Sequence, residues 1–234
     1  MPRCAVLFAT VSLVSAAASA RTEERDVPDF DGLQVASGIR ATVEIGPRRP
    51  VRVEADDETL PLLEIRVEDG ALRVGFKPNT RFHGEHRVSV SIQTPRLRAV
   101  AASGGSVVRA TMTRAEESAL EASGGSELHL RGVDANHLAI QGSGGSVVEV
   151  DGRAATLDLQ ISGGTRLLGP NLSLKDVVVQ ASGGSQGELR ADGRIRGSLS
   201  RGSELHVRGG AKAKVAASGG SAVEIEDCPA RSRP

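Results

Sequence analysis

The chain has 234 residues, of which 29 are basic and 29 acidic, giving a formal net charge of zero. That balance, with basic residues scattered rather than striped, gives no support to a nucleic-acid partner or an anionic membrane surface. Trp and Tyr are absent and Phe occurs four times, so stacking platforms for sugar rings or bases are nearly missing.

At the start, Arg3, the apolar stretch from Ala5 to Val14 and the small residues Ala18-Ser19-Ala20 predict a secretory signal over residues 1–20. The stretch is too short for a membrane span, which needs about 20 apolar residues. Cleavage removes Cys4 and leaves Cys228 with no internal disulfide partner. An unpaired thiol near a loose terminus is one reading of Cys228; intermolecular pairing or a redox role is the other. Residues 21–28 read as a linker.

Residues 29–93 predict an irregular β section. Strands over Gly32 to Ala36, Ile39 to Ile45, Val51 to Ala55, Glu64 to Val67, Leu72 to Phe76 and Val88 to Ile92 alternate apolar and polar residues. Ser37-Gly38, Gly46-Pro47, Asp56-Asp57 and Glu68-Asp69-Gly70 supply the turns between them. Lys77 to His86 reads as a mobile loop, where His83, Glu85 and His86 offer too few ligands for a metal.

Residues 94–226 are periodic. Ser103-Gly104-Gly105-Ser106 returns at Ser123, Ser143, Ser182 and Ser218, with Ser162-Gly163-Gly164-Thr165 and Ser200-Arg201-Gly202-Ser203 as variants. The seven starts lie 18 to 20 residues apart, a period that points to a solenoid. Three apolar-or-Gly columns run through all seven copies. Val108, Leu128, Val148, Leu167, Gly187, Leu205 and Val223 make one; Ala110, Leu130, Val150, Gly169, Leu189, Val207 and Ile225 a second; and Val100, Leu120, Ile140, Leu159, Val179, Gly197 and Val215 the third. Positions between them are polar, so each copy is a strand, a Gly-Gly corner and a second strand. About 20 residues are too few for a βαβ unit and enough for one rung of a β-helix with parallel pairing between rungs. One rung buries too few aliphatic side chains to offset the ordering of its backbone, so stability comes from stacking. Past Glu226, Pro229 stops the last strand and residues 227–234 form a tail.

The order Phe30-x-x-Leu33-x-Val35-x-Ser37-Gly38-Ile39, Val51-x-Val53-Glu54-Ala55-Asp56-Asp57, Val67-Glu68-Asp69-Gly70-Ala71-Leu72-x-Val74 and Pro95-x-Leu97, leading into Ser-Gly repeats, resembles the bacterial auto-transporter adhesin head GIN domain family. The resemblance covers about residues 29–226, with Ser-Gly-Gly-Ser standing where the family has a Gly-Ile-Asn-like phrase. It implies an exported, right-handed parallel β-helix similar to pectin-lyase-like folds, with no recognised catalytic residues and an adhesive role.

Candidate chemistry is sparse. His129 and His206 share a column but lie four rungs apart, about 19 Å at roughly 4.8 Å per rung, too far to share a metal. Glu149, Glu188 and Glu224 are spread along one outward column, which argues against a paired acid and base in a cleft. The glycine-rich phrase lacks the Lys-Ser/Thr ending of a phosphate loop and the Asp of calcium-binding nonapeptides. Gln141, Gln160 and Gln180 align on three consecutive rungs, as a structural amide ladder or as a strip that reads a polar ligand. These features predict an all-β parallel β-helix of about seven rungs, with no catalytic, cofactor-binding or metal residues. It would serve as an exported binding module for an extracellular polysaccharide or an envelope protein, in the periplasm or at the cell surface. A carbohydrate-active lyase or hydrolase on the same scaffold, or a purely structural envelope protein, are the alternatives.

Overall fold

The computed structural model describes residues 21–80 and 86–226. The secretory signal, His83 and Glu85 of the loop, and Cys228 with the C-terminal tail lie outside the described residues. In chain order the strands are β1 (Arg21–Arg25), β2 (Gly32–Val35), β3 (Arg40–Ile45), β4 (Val51–Ala55), β5 (Leu63–Glu68), β6 (Ala71–Phe76), β7 (Ser89–Thr94), β8 (Ala99–Ala102) and β9 (Val107–Thr111). They continue as β10 (Ala115–Ala122), β11 (Glu127–Gly142), β12 (Val147–Ile161), β13 (Arg166–Ala181), β14 (Gln186–Ala191), β15 (Arg194–Leu199), β16 (Glu204–Arg208), β17 (Lys212–Ala217) and β18 (Ala222–Glu226). A 3-10 turn at Leu60–Leu62 is the one helical element among the described residues, and none of their helices could cross a membrane.

From β8 onward the chain winds as a solenoid of parallel strands. Two sides of each turn meet at a Gly corner. β8, β10, β11, β12, β13, β15 and β17 stack on the side entering the corner. On the side leaving it, β9, β11, β12, β13, β14, β16 and β18 stack. β11, β12 and β13 are long because each continues from one side to the next around a second bend near Gly132, Gly152 and Gly169, where the register slips. The seven corners bound about six complete turns, close to the expected seven rungs.

The predicted columns hold residue for residue. Leu128 pairs with Val108 and Val148, Val148 with Leu167, and Gly187 with Leu205, which pairs with Val223. On the entering side Val100, Leu120, Ile140, Leu159, Val179, Gly197 and Val215 follow one another without a break. Leu120, Leu128, Ile140, Val148, Leu159 and Leu167 are at most 1% exposed, so the small aliphatics form one continuous interior.

At each corner both central residues take the left-handed conformation, as at Gly104 (φ 60°) and Gly105 (φ 76°), and the Ser106 amide donates to the Ser103 carbonyl at 3.3 Å. The first glycine has a further constraint: a Cβ on Gly124 would stand 3.2 Å from the Gly104 nitrogen. Corners therefore pack almost backbone on backbone. The Gly105 amide donates to the Gly124 carbonyl and the Gly125 amide to the Gly144 carbonyl, each at 3.0 Å.

The irregular section closes the N-terminal end. β2 and β3 form a turn of their own around Ser37-Gly38, an eighth corner stacked under the first glycine pair. The chain then doubles back. β6 and β7 lie parallel on the outer edges of β2 and β3 as a further turn, one whose corner is replaced by residues 77–88. Beyond them β5 runs antiparallel to β6 and β4 antiparallel to β7. β1 runs antiparallel to β4. Residues 21–28 are thus more than a linker: they contain β1 and the buried Val27. Every residue of Arg21–Arg25 is polar, so no apolar alternation marks this strand in the sequence.

Candidate binding face

The two serines of the repeated phrase do different work. The trailing residue points inward: Ser106, Ser126, Ser146, Thr165, Ser185 and Ser203 are all 0% exposed. Each satisfies its hydroxyl on a carbonyl, as Ser126 Oγ does on Ala102 at 2.9 Å and Ser185 Oγ on Ser182 at 2.6 Å. A hydroxyl buried among aliphatics would be costly without such a bond, and here it helps close the turn.

The leading residue lies on the surface beside the corner. Ser103, Ser123, Ser143, Ser162, Ser182, Ser200 and Ser218 form a row in which every residue is half-buried or exposed, and none of the seven hydroxyls is hydrogen-bonded within the described chain. Strand spacing sets them about 4.8 Å apart.

Two residues back runs a parallel row of outward side chains. Register carries it across ten strands through Arg66, Arg73, Gln34, Ala101, Glu121, Gln141, Gln160, Gln180, Ser198 and Ala216. Gln141, Gln160 and Gln180 are exposed, and no amide of the three bonds another, so the column exists without the amide ladder. The next row out holds Ala119, Ala139, Asp158, Val178 and Arg196. Between Glu121 and Arg196, Asp158 is the single charge in these two rows. At the N-terminal end the face deepens into a groove of about 380 Å³, lined among others by Arg66, Arg73, Gln34 and Glu121.

The side leaving the corner is charged instead, and its charges are engaged with one another. His129 Nδ1 lies 2.7 Å from Glu149, His206 Nδ1 3.1 Å from Glu224, and Arg208 3.1 Å from Glu188. Register places Glu149, Leu168, Glu188, His206 and Glu224 in succession, so His129 and His206 are four turns apart, as the sequence predicts. Each of the three carboxylates on this open face has a cationic or imidazole partner, an arrangement that orders neighbouring turns rather than poising an acid against a base. Further round, Arg153 hydrogen-bonds Asp134 at 2.8 Å and Arg194 hydrogen-bonds Asp176 at 3.3 Å. These guanidinium hydrogen bonds hold both carboxyls below the usual Asp range. Among the described residues no three His, Cys, Asp or Glu side chains gather to hold a metal ion.

A family model described as "Putative auto-transporter adhesin, head GIN domain" matches residues 29–211. Solved structures with the same fold include a "putative adhesin" from Bacteroides fragilis, with a TM-score of 0.77 at 16% identity over 91% of this chain and 98% of that one. A "putative adhesin" from Parabacteroides distasonis gives 0.67 at 17% identity, covering 89% and 97%. A protein of the same species described as a "putative lipid binding protein" gives 0.66 at 12%, covering 88% and 96%. At these identities the likeness is one of fold. No curated protein matches the chain.

Proposed function

This chain belongs to the auto-transporter adhesin head GIN domain family, and on that premise we propose that it is an exported, non-enzymatic binding module whose entering-side face holds a neutral, hydroxyl-rich polysaccharide. One observation carries the reading: a row of seven unbonded serine hydroxyls runs beside three unbonded glutamine amides, on the side of the solenoid that carries least charge. Donors and acceptors repeated at strand spacing suit a ligand that is itself periodic. Each contact is weak, because no aromatic ring adds stacking, and affinity comes from many contacts made at once.

Direct titration of neutral and acidic polysaccharides with the purified protein tests this. Saturable binding to a neutral polymer is expected. The triple variant Gln141→Glu, Gln160→Glu and Gln180→Glu should weaken it at least about tenfold, with an unchanged unfolding midpoint because all three side chains are exposed. Binding indifferent to the triple variant, or no saturable binding to any glycan, would remove the proposal. Turnover of a polymer that is abolished on replacing Glu149 or Glu188 would put the lyase or hydrolase reading in its place.

A further inference from the structure

The last turn has a neighbour on one side only. Among the described residues β17 pairs with β15, β18 pairs with β16, and the far edge of each is open. Its inward residues come to the surface: Val215 and Val223 are half-buried, Ala213 and Ala217 are exposed, and Ile225 is 38% exposed. One turn earlier Leu205 and Val207 are each 1% exposed. An edge of this kind is a template for another strand, and no proline or inward charge between Lys212 and Glu226 blunts it. The outward charges are segregated by strand, with Lys212 and Lys214 on β17 and Glu224 and Glu226 on β18.

We infer that this end is the contact surface of a two-fold dimer of the chain. β17 runs toward the Ser218–Ser221 corner and β18 runs away from it. A two-fold axis through that corner, perpendicular to the stack, therefore lays β18 of one protomer antiparallel along β17 of the other, and it does so on both sides at once. Setting Glu224 opposite Lys214 puts Glu226 opposite Lys212, Val223 opposite Val215 and Ile225 opposite Ala213. Inward residues then meet inward residues, and every outward acid meets a base. Self-complementarity of this kind selects a second copy of the same end over an unrelated strand.

Sedimentation of the purified protein should show a monomer–dimer equilibrium. The pair of substitutions Lys212→Glu and Lys214→Glu sets acid against acid on both sides, and Glu224→Lys with Glu226→Lys sets base against base. Each double variant should associate about a hundredfold more weakly while keeping its β spectrum. Mixing the two restores opposite charges on both sides, so the mixture should dimerise as the original does. A monomer at every concentration, the result if residues 227–234 cover the edge, would overturn the inference. So would double variants that still dimerise alone, or a mixture that stays monomeric.

Discussion

At its N-terminal end the stack is closed by strands that run against it, β4 and β5 on β7 and β6 and then β1 on β4, whereas at its C-terminal end β17 and β18 stop with an open edge. A parallel repeat cannot finish itself, because each turn offers the next an edge identical to the one it has just covered. Closing it takes sequence that abandons the repeat. Strands β1 and β5 do so with charged edges reading Arg-Thr-Glu-Glu-Arg and Leu-Glu-Ile-Arg-Val-Glu, which discourage further pairing. The last turn keeps the repeat to its end and leaves apolar residues uncovered.

The sharpest way to break this contrast is to open the closed end. Val53 of β4 is 0% exposed, and Val53→Asp buries an unpaired carboxylate there. A loss on the order of 4–5 kcal/mol, read as unfolding or aggregation at moderate temperature, is expected. Next comes position along one column. Leu128→Ala, in the closed interior at 0% exposure, should cost about 2–5 kcal/mol. Ile225→Ala at the open end, already 38% exposed, should lower the denaturant midpoint far less.

The corners give a smaller, graded effect. Gly144 and Gly145 both have positive φ, so alanine at either carries a strain of roughly 1–2 kcal/mol. At Gly144 the new Cβ also meets the Gly124 nitrogen at 3.1 Å, whereas nothing lies within 4 Å at Gly145. Gly144→Ala should therefore be the worse of the two by urea unfolding. Smallest is the response to acid. Asp134 and Asp176 are held below their ordinary value of 3.8 by Arg153 and Arg194, so their contribution is present above that value and fades as pH falls through the folded-state pKa. The double variant Asp134→Asn and Asp176→Asn should show a shallower fall in unfolding midpoint between about pH 5 and pH 2.

Much of this fold is legible in the residues. The three apolar columns pair as the spacing says, because a buried strand face tolerates no slip of register: one residue's shift would turn Leu128 outward and His129 in. The eighth corner at Ser37-Gly38 is less visible. Its signal lies in Leu33, Ala41 and Val43, which fall into the three columns, but Ile39 replaces the buried serine and the next turn in space is some 60 residues away in sequence. The turn made by β6 and β7 cannot be found by spacing at all, since residues 77–88 stand where its corner would be. The candidate face is half legible. Alignment of Gln141, Gln160 and Gln180 follows from the period, while the opposite fates of the paired serines do not.

Sequence alone determined the period, the parallel stacking and the inward columns, because glycine at left-handed corners and alternating apolarity are local properties that repetition amplifies. Only the tertiary structure decided which serine of each pair is buried and bonded and which is left free, and which end is covered and which is open. Those outcomes depend on what lies against a residue in space, and for the N-terminal end that neighbour comes from a distant part of the chain.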